Sequence, residues 1–164
     1  GDIHPDRGGE NLNVPNEKSR RWIKGLHEGI DQLGENIKLN VMRSAAIHCA
    51  EDLLLLCKDY LGKPINSEKD LISGWIMLKN DRGLTSNWVL EDNIIRATFN
   101  ECGCPLVRSG LVELHPVQCY CSQNMIENVF SQASKKTVNV KIERSIGRGD
   151  SVCEFIISFE GSGS

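Results

Sequence analysis

A long amphipathic segment is the feature of this sequence that most restricts its fold. From Glu35 to Leu61, apolar residues recur at intervals of three and four positions. The recurring residues are Met42, Ala45, Ala46, Cys49, Leu53, Leu56, Cys57 and Tyr60. This spacing predicts one long helix with a single buried face, ended by Gly62 and Pro64. Such a helix must pack against a second layer, which the rest of the chain has to supply.

Three shorter segments show the same helical spacing, at about 17–33, 68–78 and 123–133. Asn16, Ser67 and Ser122 precede them and are suitable N-cap residues. The apolar stripe of the first segment consists of Trp22, Ile23, Leu26, Ile30 and Leu33. We therefore expect three helices before residue 83 and one helix inside the C-terminal half.

Short extended segments follow Gly83. Residues 88–90 and 93–100 predict a hairpin that turns at Glu91 and Asp92, whereas 102–122 predict a loop with at most one short strand. Two strands with alternating apolar residues close the chain, joined by a turn at 147–150. Their inward residues are Val138, Val140 and Ile142, then Cys153, Phe155, Ile157 and Phe159.

Helices followed by strands predict an α+β fold, in which N-terminal helices pack on a C-terminal antiparallel sheet with one inserted helix. We expect residues 1–15 to be a flexible lead-in, 16–160 to be a single α+β domain and 161–164 to be a disordered tail. His4 falls in the lead-in and His27 on the flank of the first helix, where we expect both to be solvated.

Composition argues against two classes of partner. With 164 residues, a net charge of -3 and 5% aromatic residues, the chain has neither the basic face nor the stacking surface of a nucleic-acid-binding protein. No apolar run approaches the roughly 18 residues that span a bilayer. Because the chain begins with Gly1 and not Met, a signal could have been removed. Localisation therefore stays open between the cytoplasm and export.

The seven cysteines carry the distinctive chemistry of this sequence. An odd number excludes complete internal pairing, and the size of the chain favours thiols or metal ligands over a disulfide scaffold. Cys102 and Cys104 form one C-x-C pair, and Cys119 and Cys121 form another. On extended backbone each pair would present both sulfurs to one side. The four could then hold zinc, with His115 as a substitute ligand, although redox chemistry, disulfides or plain packing would explain the same residues.

Two cysteines are also candidate nucleophiles. Cys121 precedes the predicted fourth helix, whose N-terminus would stabilise a thiolate, and His115 could act as its base. Cys49 lies on the long helix beside His48, which is the other candidate base. Packing is the alternative for both, and also for Cys57 and Cys153. Cys49 and Cys153 could instead line an internal pocket that faces the cysteine loop.

Five blocks of this sequence resemble an uncharacterised cysteine-motif family. They are residues 22–26 (WIKGL), 42–50 (MRSAAIHCA), 102–107 (CGCPLV), 119–122 (CYCS) and 145–156 (SIGRGDSVCEFI). This family is distantly similar to the 4-vinyl reductase or hydrocarbon-binding domains and to thiazoline carboxylate hydrolase-like proteins. The first similarity implies the fold of haem-NO-binding domains, often dimeric, with an internal apolar ligand pocket. The second implies a cysteine-centred hydrolase.

One block departs from the family pattern. Ala45, Ala46 and Ile47 stand where the family has C-G-R, which places any function of those family residues in doubt here. The resemblance implies a domain that binds a small apolar or sulfur-containing molecule and could form a homodimer. The expected ligand-binding residues are Cys49, Cys102, Cys104, Cys119, Cys121 and Cys153. A cysteine-dependent hydrolase and a structural zinc or disulfide domain are the alternatives.

Overall fold

The computed structural model of the chain describes residues 13–160. Residues 1–12 of the predicted lead-in, with His4, and the predicted tail at 161–164 lie outside the described residues. Within the described part the helices are α1 (Asn13–Asp31), α2 (Glu35–Leu61), α3 (Glu68–Asp81), α4 (Pro105–Arg108) and α5 (Gln118–Ser134). None of these helices is long and apolar enough to cross a lipid bilayer.

Local signals explain the limits of α2 and α3. At the end of α2, Gly62 adopts a φ of 77°, and its amide donates to the carbonyl of Lys58 at 2.9 Å. This left-handed conformation suits glycine because it has no Cβ. At the start of α3 the Ser67 hydroxyl accepts a hydrogen bond from the Asp70 amide at 3.1 Å. The predicted N-cap of α3 is therefore confirmed.

Four antiparallel strands form the sheet in the described region: β1 (Ser86–Glu91), β2 (Ile94–Phe99), β3 (Val138–Arg144) and β4 (Cys153–Phe159). Their order is β1-β2-β4-β3, so the last strand lies between the predicted hairpin and β3. Glu91 pairs with Ile94, which places the hairpin turn at Asp92 and Asn93. That turn falls one residue later than predicted. A short 3₁₀ turn, Ile146–Arg148, connects β3 to β4.

The core lies between the sheet and the helices α2, α3 and α5. Helix α5 packs against α2 and β3, and α3 packs against α2. Aromatic rings fill the centre: Trp75 of α3 stacks near Phe130 of α5, with ring centroids 6.3 Å apart, and meets Trp88 of β1 edge-on at 5.3 Å. The predicted α+β fold with an antiparallel sheet and one inserted helix is thus confirmed.

Helix α1 differs from its predicted orientation. Trp22 is 67% exposed and Leu26 is 50% exposed, although both belong to the predicted apolar stripe. His27, predicted to be solvated, is only 7% exposed, so that prediction is wrong. Ser19 and Arg20 donate hydrogen bonds to the carbonyls of Leu111 and Gly110, at 2.9 and 2.7 Å. The helix therefore docks on the segment before α5, and these polar contacts set which face is covered.

The segment 102–122 also differs from the predicted loop. It contains α4, and α5 begins at Gln118, five residues before the predicted start. Two side chains stabilise the approach to α5: His115 Nδ1 accepts from the Val117 amide at 3.1 Å, and Gln118 Oε1 accepts from the His115 amide at 2.8 Å. Ser122, the predicted cap, lies inside the helix.

Candidate functional site

Cys49 of α2 and Cys121 of α5 lie on two helices that pack together, and each affects the ionisation of the other. Both side chains are partly buried. Hydrogen bonding with Cys121 lowers the pKa of Cys49 to about 6, because it stabilises the thiolate; nearby His48 acts in the same direction, whereas burial and Asp52 oppose it. The same bond, with burial, raises the pKa of Cys121. Of the two candidate nucleophiles, Cys49 therefore carries the more acidic thiol.

Cys119 and Cys121 lie on a helix and not on extended backbone. Two residues along a helix span about 200° around its axis, so the two sulfurs point to different sides. The Cys119 sulfur lies 2.7 Å from the Ser145 hydroxyl, and both side chains are buried. The second C-x-C pair thus does not present its sulfurs together, because α5 begins earlier than predicted.

This divergence bears on the predicted zinc site. Across residues 13–160, no group of three or more His, Cys, Asp or Glu side chains is arranged to hold a metal ion. Cys119 has Ser145 as its neighbour and Cys121 has Cys49. The four predicted ligands therefore do not fit a tetrahedral zinc site in this conformation.

Cys102 and Cys104 flank Gly103 just before α4, and Cys104 is the N-cap of that helix. Burial raises the pKa of Cys102, and burial likewise raises the pKa of Cys153, whose sulfur accepts from the Ile146 amide at 3.4 Å. The charge of Cys102 contributes to the raised pKa of Cys153, and the charge of Cys104 contributes to that of Cys121. With raised pKa values, the half-buried thiols of Cys102 and Cys153 stay protonated near neutral pH and are weak nucleophiles.

Lys79 is a buried residue of this region that the sequence reasoning missed. It is 6% exposed, and its Nζ lies 5.2 Å above the ring of Phe99. Burial, followed by the charges of Arg82 and Arg108, lowers its pKa. A signal was present in the sequence, since Lys79 follows Trp75 by four residues and therefore shares the apolar face of α3. Its amine packs against Gly103, where any larger side chain would collide with it.

The two predicted catalytic histidines occupy different surroundings. His48 is exposed on α2 and favours the Cys49 thiolate electrostatically. His115 accepts from the Val117 amide and faces His27, with ring centroids 5.5 Å apart. His48 is therefore the better-placed partner for Cys49, whereas the contacts of His115 are with α1 and with the start of α5.

Two open grooves lie along the described surface of α2. A groove of about 300 Å³ lies between α2 and α5, and one of about 230 Å³ lies along the C-terminal part of α2, between Leu54 and Pro64. The first is lined by Arg43, Ala46, Ile47, Asn124, Glu127, Asn128, Ser131 and Gln132. Neither groove is lined by a cysteine, so the predicted pocket between Cys49 and Cys153 stays a prediction.

No protein family model matches the chain, and no curated protein matches it in sequence. Solved structures do match. One is a trafficking protein particle complex subunit 3 from Naegleria fowleri, covalently bound to palmitic acid, with a TM-score of 0.59 and 9% identity; the match covers 93% of this chain and 97% of that one.

Two further structures match over most of their length. The phenol-responsive sensory domain of the transcription activator PoxR, with phenol, has a TM-score of 0.51 and 18% identity, over 81% of this chain and 70% of that chain. An H-NOX protein from S. oneidensis in the Fe(II)NO ligation state has a TM-score of 0.50 and 11% identity, over 85% and 72%. At these identities the likeness shows a shared fold, the α+β fold predicted for this chain.

Proposed function

We propose that this chain is a binding domain for a small apolar or sulfur-containing molecule, which it holds at the junction of α2 and α5 beside Cys49. The observation that carries the proposal is the half-buried, acidic Cys49 thiol between two packed helices. Small-molecule sites are mostly apolar with a few polar groups that fix the ligand. In this proposal the Cys49 and Cys121 sulfurs are those groups.

The similarity of fold supports the proposed class of protein, a domain that binds a small molecule. Three of the matching structures hold palmitic acid, phenol and nitric oxide, respectively. The other proposed ligand-binding residues are Cys102, Cys104, Cys119 and Cys153; among these, Cys102 and Cys119 are near enough to Cys153 to affect its ionisation. Because burial keeps Cys102 and Cys153 protonated, we assign them to the lining of the site and not to bond formation.

Calorimetric titration with palmitate and with phenol, preceded by native mass spectrometry of the purified protein, tests the proposal. We expect either a co-purified mass or saturable binding of one probe. Replacing Cys49→Leu should then weaken binding at least about tenfold, which corresponds to about 1.4 kcal/mol. The control is Ser44→Leu, which introduces the same leucine at an exposed position of α2. This variant should bind as the wild type does.

Two results would contradict the proposal: no saturable heat and no co-purified mass, or equal affinity in the Cys49→Leu and wild-type proteins. If Cys49→Leu fails to fold, Cys49→Ser gives a smaller change at the same position.

A cysteine-dependent hydrolase is the second candidate, because the lowered pKa of Cys49 suits a nucleophile. In this reaction the Cys49 thiolate attacks an ester or amide carbonyl. The leaving group departs with a proton, His48 could supply that proton, and water hydrolyses the thioester. With p-nitrophenyl acetate we expect a burst of about one equivalent of p-nitrophenol. Cys49→Ser should abolish the burst, and a burst that persists in this variant would exclude Cys49 as the nucleophile.

A further inference from the structure

The larger groove, between α2 and α5, contains one charged side chain of each sign. Arg43 belongs to the α2 wall and Glu127 to the α5 wall. Among the described residues, neither side chain forms an ion pair, with the other or with a third group. A guanidinium and a carboxylate that share a groove attract each other, so their separation needs a structural cause.

Asn124 provides that cause. It is 6% exposed, and its Nδ2 group donates to the carbonyls of Tyr120 at 2.8 Å and Leu39 at 3.4 Å. These two bonds use both amide hydrogens and fix Oδ1 towards Arg43, whose Nε donates to it at 3.3 Å. Nη1 of Arg43 donates to Asn40 Oδ1 at 3.5 Å. The guanidinium is therefore held on its own wall by neutral oxygens, and its remaining N–H groups are available to a ligand.

The polar side chains at the other end of the groove are satisfied within the chain. Gln132 donates to the Asn128 side-chain oxygen, and the Ser131 hydroxyl donates to the Lys136 carbonyl at 3.3 Å. Glu127 is half-buried and lies on α5 one helical turn after Asn124. The charges that still need partners are thus gathered at the Arg43 end of the groove.

We propose that this groove binds an aliphatic α-amino acid, with its carboxylate on Arg43, its ammonium group on Glu127 and its side chain against Ile47. The inference goes beyond the proposed function and does not rest on it, because no cysteine of the described residues lines the groove. The volume of about 300 Å³ is at the small end of the range for ligand pockets and therefore suits a ligand of this size.

The two charges select the class of ligand. A molecule with a carboxylate alone would pair with Arg43 but would also meet the like charge of Glu127, and a molecule with an amine alone would meet the like charge of Arg43. A zwitterion presents one group of each sign, so both charges of the groove gain a partner. The planar guanidinium suits the carboxylate in particular, because it can donate two parallel hydrogen bonds to it.

The apolar part of the wall indicates the side chain of the ligand. Ile47 is 41% exposed and follows Arg43 by four residues, so the two lie on the same side of α2. Ala46, beside Ile47, is buried and small, which leaves room above it. An aliphatic side chain packed on Ile47 would remove this apolar surface from water.

Titration of the full chain with L-leucine, followed by the ¹H–¹⁵N NMR shifts of its amides, tests the proposal. We expect saturable shifts at Ala46, Ile47, Glu127 and Asn128, with a Kd below about 10 mM. Leucinamide lacks the carboxylate and 4-methylpentanoate lacks the ammonium group. Each should bind the wild-type chain at least about tenfold more weakly than leucine, because one charge of the groove is left without its partner.

Two variants test the same charges from the side of the protein. Arg43→Gln and Glu127→Gln should each weaken leucine binding at least about tenfold. The matched controls are Arg21→Gln and Glu28→Gln, which make the same changes at exposed positions of α1. Both controls should bind leucine as the wild type does.

Any of four results would overturn the proposal: no saturation by about 10 mM leucine, shifts confined to residues away from the groove, an analogue that binds as tightly as leucine, or wild-type affinity in a folded Arg43→Gln or Glu127→Gln variant. Circular dichroism establishes that each variant is folded. The comparison of leucine with its two analogues uses the wild-type chain, so it decides the question even if a variant does not fold.

Discussion

His27 and His115 face each other across the contact between α1 and the segment that leads into α5. Their ring centroids are 5.5 Å apart and their planes are tilted by 41°. His27 Nδ1 is buried without a hydrogen-bond partner among the described residues. Burial lowers the pKa of His27, and the neighbouring His115 lowers it further, because two imidazolium charges would repel each other.

Acidification should therefore loosen α1. With its pKa in the folded chain below the ordinary value of about 6.5, His27 is neutral when folded at a pH where the unfolded chain binds a proton. The contribution of neutral His27 to stability is fully present above the unfolded pKa of about 6.5. It is lost as the pH falls through the lower pKa that His27 has in the folded chain. Hydrogen exchange of α1 amides at pH 7.5 and pH 5 measures the effect. The Lys24–Glu113 ion pair at 3.6 Å is exposed and should contribute little.

The variant His27→Phe keeps an aromatic ring but cannot bind a proton, so α1 exchange should lose most of its dependence on pH. His48→Gln removes an exposed histidine and serves as the control. A pH dependence that survives in His27→Phe would assign the effect to another group.

Gly74→Ala should destabilise the chain where α3 crosses α2. A Cβ at position 74 would lie 2.5 Å from the Cys57 carbonyl oxygen, a backbone atom that cannot move aside cheaply. We expect a loss of about 1–3 kcal/mol in the free energy of unfolding, measured by urea denaturation. Gly25→Ala, in α1 with nothing within 4 Å of the added methyl group, should instead gain about 0.5–1 kcal/mol. Equal changes in the two variants would contradict close packing at Gly74.

Ser145→Ala should cost about 0.5–1.5 kcal/mol of unfolding free energy, because it removes the buried partner of the Cys119 thiol. The Ser145 amide still donates to the Asp150 carboxylate at 2.8 Å in this variant, because that bond does not use the hydroxyl. Ser151→Ala, at an exposed position of the same connection, is the control. Equal stability of the wild type and Ser145→Ala would show that the contact contributes nothing measurable.

Cys121→Ala should make Cys49 less acidic. The largest cause of the lowered pKa of Cys49 is the hydrogen bond from Cys121, and burial would then dominate and raise the pKa. The rate of iodoacetamide alkylation at Cys49, followed by mass spectrometry across pH 5–9, should show its midpoint moving upward from about 6. In the control, Cys153→Ala, the midpoint should stay in place. An unmoved midpoint in Cys121→Ala would mean that His48 or another group lowers the pKa.

Removal of metal ions by a chelator should leave the stability of the chain unchanged. Since the predicted zinc ligands Cys119 and Cys121 point to different neighbours, we expect less than stoichiometric zinc after purification without added metal. Exposure to EDTA should not alter the melting temperature. Stoichiometric zinc that protects four thiols would instead mean that the segment 102–122 can rearrange around the metal.

The fold could largely be predicted because its signals are local. The limits of α2 follow from one apolar stripe and from Gly62, and they agree with the prediction. The start of α5 could not be predicted in the same way. His115 and Gln118 stabilise that start through side-chain contacts that are not among the usual capping residues.

The site was harder to predict than the fold. Two cysteines in a C-x-C pair point to the same side on extended backbone but to different sides on a helix. Because the start of α5 was predicted too late, the orientation of the Cys119 and Cys121 sulfurs was also predicted wrongly. The contact between Cys49 and Cys121 arises from the packing of α2 on α5, which no spacing along the chain reveals. His27 is different, because it lies four residues after Ile23 and three before Ile30, and this position on the apolar face could have indicated its burial.

The helical setting of Cys119 and Cys121 also determines which sequence changes this region can tolerate. A substitution at Tyr120 would leave both sulfurs with their present neighbours, whereas a deletion there would turn one cysteine by about 100° relative to the other. One sulfur would then lose either Ser145 or Cys49. We therefore expect this segment to vary in residue type but to keep its length, which is the opposite of what a surface loop would permit.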